Sequence, residues 1–254
     1  MTLLSGLVIT YNEERHIRDC LKSLSRICDD IVVLDSESDD RTAEIARDMG
    51  ARVIIQPFLG DGPQRSAGLP HCKHPWVFYL DADERLGEDL VSELNSLDLD
   101  SRSAEAYECR RKNHINGRWI KVAGQYPDHI CRLFYRTKTD FSPLQTHARI
   151  TTTKLDRLDG HILHYAIESL NDMSERMIRY SDWQSNSMFD EGKRVSKLAP
   201  FGHGLGCFIK FYFFRRGFLA GLDGLNISLF NAMGSYLKYA KLIEKYNSNS
   251  THPK

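Results

Sequence analysis

Val77-Phe78-Tyr79-Leu80-Asp81-Ala82-Asp83-Glu84 is an apolar run that ends abruptly in two carboxylates separated by one small residue. On an extended backbone residues i and i+2 point to the same side, so Asp81 and Asp83 are expected to converge on one cation. Two like charges held that close need a counter-charge. A hard divalent ion such as Mg2+ or Mn2+, carrying the phosphates of a substrate, supplies one. The competing reading of an isolated Asp-x-Asp is an acidic turn after a buried strand, and the flanking sequence decides between the two.

Upstream, short β-rich runs alternate with helical periodicity, the pattern of an open α/β sheet with covering helices. Leu7-Val8-Ile9, Ile31-Val32-Val33-Leu34, Val53-Ile54-Ile55 and Trp76 to Leu80 read as strands. Ile17, Cys20, Leu21 and Leu24 fall at helical spacing, with Asn12 placed to cap the start of that helix. Thr42 to Met49 reads as a second helix that Gly50 terminates. Ligands of such sheets sit outside the carboxyl ends of the strands. Three polar exits fall there: Thr10-Tyr11-Asn12-Glu13, Asp35-Ser36-Glu37-Ser38-Asp39 and Asp81-Ala82-Asp83. Their coincidence favours the ligand-binding reading of the acidic pair. No Gly-x-Gly-x-x-Gly follows the first strand and no Gly-x-x-x-x-Gly-Lys-Ser/Thr occurs anywhere, which argues against a dinucleotide enzyme or a P-loop NTPase.

The 254 residues suit one large domain or a domain with an appendage, and 41% apolar content suits a globular core. The formal charge is zero, but residues 1–200 sum to about −5 while Phe201 to Tyr246 carry six Lys/Arg against Asp223 and Glu244. No nucleic-acid role follows from that distribution. Cys20, Cys28, Cys72, Cys109, Cys131 and Cys207 are scattered, without zinc-ligand spacing, and read as reduced thiols of a cytoplasmic protein. The apolar start lacks a preceding cationic segment and reads as a strand rather than a signal peptide. The longest uncharged stretch, Gly224 to Leu237, is 14 residues, short of the ~20 of a membrane span. Strand-like runs recur around Tyr107 to Arg111, Ile130 to Tyr135 and Ile162 to Tyr165, and from Glu168 onward the chain reads mainly helical. Phe208 to Arg216 mixes large aromatics with cations, which suits either a segment at a bilayer interface or a core helix with snorkelling cations.

Val8-Ile9-Thr10-Tyr11-Asn12-Glu13, Val33-Leu34-Asp35-Ser36-Glu37-Ser38-Asp39-Asp40-Arg41-Thr42 and Leu80-Asp81-Ala82-Asp83-Glu84 together resemble, in order and spacing, the family 2 inverting glycosyltransferases of GT-A fold. The resemblance implies an α/β, Rossmann-like fold that binds a nucleotide sugar, with a helical, membrane-facing C-terminal region. A transferase domain is expected over 1–167, with a helical, membrane-associating extension over 168–246 and a flexible tail over 247–254. Carried over residue by residue, Thr10, Tyr11, Glu13, Asp35 and Asp39 become nucleotide contacts, and Asp81, Ala82 and Asp83 lie at the ribose and at a Mg2+ or Mn2+ ion. Gln64-Arg65 matches the position of a basic residue facing the phosphates; taken alone, an arginine in a loop is a solvated surface residue. Tyr126-Pro127-Asp128, Arg132-Leu133-Phe134, Phe141-Ser142, His147, Leu163-His164-Tyr165 and Phe213-Phe214-Arg215-Arg216-Gly217-Phe218-Leu219 resemble a narrower group, the lipopolysaccharide core β-1,4-glucosyltransferases. Ile130 and Ala148 depart from that group, where Gln and Glu are common.

Sugar transfer with inversion needs a base for the acceptor hydroxyl and neutralisation of the departing diphosphate. Asp128 matches the family's catalytic carboxylate, with Glu84 as its competitor and a turn residue after Pro127 as the plain alternative. His147 is a candidate third metal ligand beside Asp81 and Asp83; His164 is a weaker one. The resemblance thus implies a UDP-sugar donor, glucose as the hexose, and a lipid-linked core heptose as acceptor. It places the enzyme in the cytoplasm, peripheral at the anionic inner face of the inner membrane. A polyprenyl phosphate, exopolysaccharide or peptide acceptor is the enzymatic alternative, and a non-catalytic nucleotide-sugar or metal-binding module is the alternative of another class.

Overall fold

The computed structural model describes residues 3–99, 103–141 and 150–251. The chain divides into two compact units, Met1–Lys112 with Asp128–Tyr165, and Asn113–Pro127 with Ala166–Lys254. The chain enters the first unit through β1 (Leu4–Thr10), α1 (Ile17–Leu24), β2 (Asp30–Asp35), α2 (Thr42–Asp48), β3 (Arg52–Ile55), α3 (Asp61–Gly68), β4 (Trp76–Asp81), β5 (Glu84–Leu86) and α4 (Glu88–Ser96). Then follow β6 (Ala106–Ile115), β7 (Arg118–Trp119), β8 (His129–Tyr135), β9 (Asp140–Phe141), β10 (Ile150–Thr151) and β11 (Leu155–Ile167). The sheet order is β3-β2-β1-β4-β8-β6-β11-β5, with β7 paired to β6 and a separate β9–β10 ladder.

Strands β3, β2, β1 and β4 run parallel, whereas β8 is antiparallel to β4 and to β6, and β5 is antiparallel to β11. Strands β1, β2 and β4 are buried along nearly their whole length, which is why they read as near-continuous apolar runs, whereas β3 at the sheet edge is partly exposed. Along β4, Trp76, Phe78 and Leu80 enter one cluster with Leu21, Leu24 and Leu90, while Val77 and Tyr79 enter the other with Leu7, Phe134 and Phe141. Phe78, sealed from solvent, contributes roughly 1.5–3 kcal/mol by that burial. Gly50 follows α2 at φ +82°, a left-handed stop that a side chain would strain. All six cysteines are free thiols.

One expectation about capping is corrected. Helix α1 begins at Ile17 without a side-chain cap. Asn12 instead adopts φ +54°, and its Oδ1 accepts a bond from the Asp39 amide at 3.0 Å. The residue joins two loops rather than starting a helix.

In the second unit, α5 (Leu170–Asp190) opens with a reciprocal capping box in which the Asp172 amide donates to Ser169 Oγ and the Ser169 amide to Asp172 Oδ2. It is followed by α6 (Ala199–Ile209), a π-helical turn at Lys210–Phe214, a 3-10 turn at Gly217–Ala220 and the 31-residue α7 (Gly221–Thr251). Residues 247–251, expected as a tail, continue α7. Segment 113–127 belongs with these helices: Ile115, Ile120 and Ala123 share a core cluster with Met173 and Ile227. Among the described residues no helix is long and apolar enough to cross a membrane.

Candidate active site

The parallel register sets Thr10 opposite Asp35, and Ile9 opposite both Leu34 and Asp81, so the three polar exits lie at one edge of the sheet. The first two are wired together. The Asn12 amide donates to Ser38 Oγ at 2.9 Å, the Glu13 amide to Thr42 Oγ1 at 2.7 Å and the Ser36 amide to Thr10 O at 2.9 Å. Asp35 is buried and turned into its own loop, accepting from the Ser38 amide at 2.9 Å and from Ser38 Oγ at 2.6 Å. Glu37 at φ +62° joins Asn12 in the left-handed region that these short connections require. The outcome is a fixed rim from which the Tyr11 ring and Asp39 are exposed, with Glu13 half-buried and Thr10 buried.

Gln64 and Arg65 part company on α3. Gln64 is buried, donating to Ser36 Oγ at 3.1 Å and to Gln56 O at 3.3 Å while accepting from the Leu59 amide at 3.1 Å. Its amide braces the loops, where a phosphate contact was expected. Arg65 pairs with Asp61 at 2.5 Å, reaches Asp81 Oδ1 at 3.5 Å and lies against the Tyr79 ring, 4.4 Å from its centroid.

Asp81 and Asp83 are engaged by different partners. The strand ends at Asp81 and the chain turns at Ala82 and Asp83, so the alternation of an extended backbone stops there. Asp81 Oδ2 accepts from Arg132 Nη2 at 2.7 Å, and Oδ1 accepts from the Tyr79 hydroxyl. Asp83 Oδ2 instead faces His164 Nε2 at 3.4 Å. Ala82 is buried and makes the turn compact.

Behind this pair runs a chain of charges that single-sequence reasoning missed. Arg132 Nη2 also donates to Glu84 Oε1 at 2.7 Å; Arg111 Nη1 donates to the same oxygen at 2.9 Å, and Arg111 Nε to Asp128 Oδ2 at 2.9 Å. The Asp81 amide occupies Glu84 Oε2 at 3.1 Å. Burial pushes the Asp81 carboxyl up, but the Arg132 and Arg65 guanidiniums outweigh it and hold Asp81 well below the usual carboxylate range. Burial likewise opposes the charge on Arg132, and Glu84 and Asp81 more than restore it. The one available signal was Arg132 itself, a cation inside the apolar run Ile130 to Phe134, which a strand tolerates only with buried counter-charges.

Among the described residues no group of three or more His, Cys, Asp or Glu side chains is gathered for a metal ion. Asp83 with His164 offers one oxygen and one nitrogen donor, which fits a cation whose other positions are filled by substrate phosphates and not a fully protein-caged metal. His147 lies outside the described residues.

Residues 5–161 match the family described as Glycosyl transferase family 2. An uncharacterized glycosyltransferase of Rickettsia prowazekii is 30% identical over 95% of this chain and 87% of its own. The lipopolysaccharide core biosynthesis glycosyltransferase LpsC of Rhizobium meliloti is 27% identical over 96% of this chain and 93% of its own. The crystal structure of S. aureus TarS 1-349 aligns with a TM-score of 0.47 and 13% identity, over 98% of this chain and 92% of that one. With the matched stretch running from β1 into β11, the protein belongs to glycosyl transferase family 2, and its mixed sheet with helical C-terminal part is an α/β fold of the GT-A, Rossmann-like kind.

Proposed function

We propose that the chain is an inverting transferase that moves glucose from UDP-glucose to the inner-core heptose of lipopolysaccharide, at the inner face of the inner membrane. The observation that carries this reading is the likeness to the core biosynthesis enzyme, sustained over 96% of this chain and therefore through the helical unit as well as the sheet.

The chemistry follows from what each group can still do. Tyr11, Thr10, Glu13 and Asp39, on the rim fixed by Asp35, take the nucleoside. Arg65 and Arg132 stand at the strand end where a diphosphate would bring its charge, each already balanced against Asp81. Asp83 and His164 would hold Mg2+ or Mn2+, which supplies neutralisation of the leaving diphosphate when bound. Glu84 is unsuited to be the base: it is sealed from solvent and both of its oxygens accept bonds. Asp128 keeps about a quarter of its side chain exposed and is aimed by Arg111. Asp128 takes the proton of the acceptor hydroxyl, the freed oxygen bonds to the anomeric carbon on one face, and the bond to the diphosphate breaks on the other.

The test is transfer by the purified chain from a panel of UDP-sugars, with Mg2+ or Mn2+, to heptose-terminated lipopolysaccharide. Glucose transfer that stops in excess chelator is expected, and Asp128→Asn should lower turnover by about 100-fold or more while nucleotide binding stays. Transfer unaffected by chelator overturns the metal assignment, and transfer only to a polyprenyl phosphate, polysaccharide or peptide overturns the acceptor. Near-normal turnover of Asp128→Asn removes it as the base.

A further inference from the structure

Gly192 to Leu222 contains six cations, Lys193, Arg194, Lys197, Lys210, Arg215 and Arg216, and not one Asp or Glu. Within it α6 carries no charged side chain at all, yet only Pro200 and Gly204 along its length are buried. A helix that is apolar all round belongs inside a core or in lipid. This one meets α7 along a narrow seam, where Gly204 comes against Ala232 and Tyr236, and leaves most of its circumference to solvent. Leu198 is 76%, Phe201 63% and Leu205 65% exposed, at the three- and four-residue spacing of one helical stripe. The patch continues past the helix end, where Phe214 is 80% and Leu222 75% exposed. Arg216 at φ +55° and Gly221 at φ +56° fold the segment between them into a short turn.

We propose that this surface is a bilayer-insertion face that lies in the plane of an anionic membrane, with Leu205, Phe214 and Leu222 entering the acyl boundary and Lys197, Lys210 and Arg216 meeting lipid phosphates. At 1.5 Å per residue α6 is about 16 Å long, half of a ~30 Å hydrocarbon core, so it lies on the bilayer rather than across it. Exposed apolar area of this extent marks an interaction surface. The charge pattern selects the partner. A second protein face would have to offer acidic groups around an apolar centre, whereas an anionic leaflet offers both continuously, and aromatic side chains favour that depth. The inference deepens the reading of a lipid-linked acceptor, but it rests on this surface and stands apart from the transfer chemistry.

The full chain should co-sediment with vesicles of phosphatidylethanolamine and phosphatidylglycerol, less with phosphatidylcholine alone, and less again as salt rises. The variant Leu205→Gln/Phe214→Gln/Leu222→Gln should lose about tenfold or more in vesicle partitioning while transferring sugar to a delipidated, soluble core oligosaccharide at the parent rate. Phe214→Trp keeps the apolar character and provides a second readout: its fluorescence should be quenched by brominated acyl chains. Unchanged partitioning of the triple variant, equal binding to neutral vesicles, or an unquenched Trp overturns the proposal. So does a parent dimer that the triple variant dissolves, since the face would then belong to a second copy. Vesicle binding without any sugar transfer supports the surface and counts against the proposed function.

Discussion

The two ends of the candidate site are built by different forces. At the first, the loops after β1 and β2 are fastened by backbone amides, serine and threonine hydroxyls and one asparagine, with Asn12 and Glu37 set in left-handed conformations to make the bonds reach. At the second, Asp81, Glu84 and Asp128 are held by Arg65, Arg111 and Arg132 across side chains from five different elements and the loop before β8. The bonds of the rim, including those of the Asp35 carboxylate to Ser38, are closed within the two loops. Charges paired in the interior hold only as a set, because each partner left alone faces the full penalty of desolvation. The first end is therefore a ready-made rim. The second is a balanced cluster in which removing one charge leaves its partner uncompensated.

That contrast sets the size of what mutation should do. The largest effect is expected from Arg132→Met, which leaves Asp81 and Glu84 facing each other without their shared cation and should cost about 3–5 kcal/mol in urea unfolding. A parent-like unfolding midpoint would show that the cluster is not a cooperative unit. The same substitution should flatten the acid limb of the stability curve. The parent's Asp81 binds its proton less readily folded than unfolded, so the stability it contributes is full above the unfolded carboxyl value near ~3.9 and fades as pH falls toward the lower folded value. Next comes Arg111→Lys. An ammonium can meet Glu84 or Asp128 but does not reproduce the fork that now meets both. Turnover should fall roughly 10- to 100-fold with donor KM little changed; equal loss in both would make Arg111 a general scaffold residue. The smallest effect belongs to the rim. Asn12→Ala removes one acceptor and strains φ +54°, weakening UDP binding in calorimetry by about 1 kcal/mol, and Asn12→Gly should restore the backbone part. An effect of Asn12→Ala as large as that of Arg132→Met would erase the distinction between the two ends.

Legibility in the sequence follows the same division. Strands β1, β2 and β4 could be read because parallel strands buried on both faces leave unbroken apolar runs, and the rim residues could be placed because each follows such a run directly. Arg111 and Arg132 could not be placed from spacing: they lie on β6 and β8, and what joins them is the sheet order, which brings β4, β8 and β6 side by side. The turn at Ala82 and Asp83 was not legible, because the apolar run up to Leu80 does not mark where the extended backbone stops. Segment 113–127 falls within the transferase domain expected over 1–167, and the burial of Ile115, Ile120 and Ala123 against Met173 and Ile227 is a tertiary fact with no local signature. The helices of the second unit were legible as helices; the uncovered circumference of α6 was not, since an apolar helix reads alike whether a core or a solvent face surrounds it.

Arg132 and Arg111 meet on a single atom, Glu84 Oε1, inside a residue closed to solvent. From Asp81 to Asp128 the path is carboxylate, guanidinium, carboxylate, guanidinium, carboxylate, with no water and no backbone segment needed to complete it. Asp81 and Asp128 are therefore positioned through one shared oxygen, and removing the Glu84 carboxylate would release both guanidiniums at once.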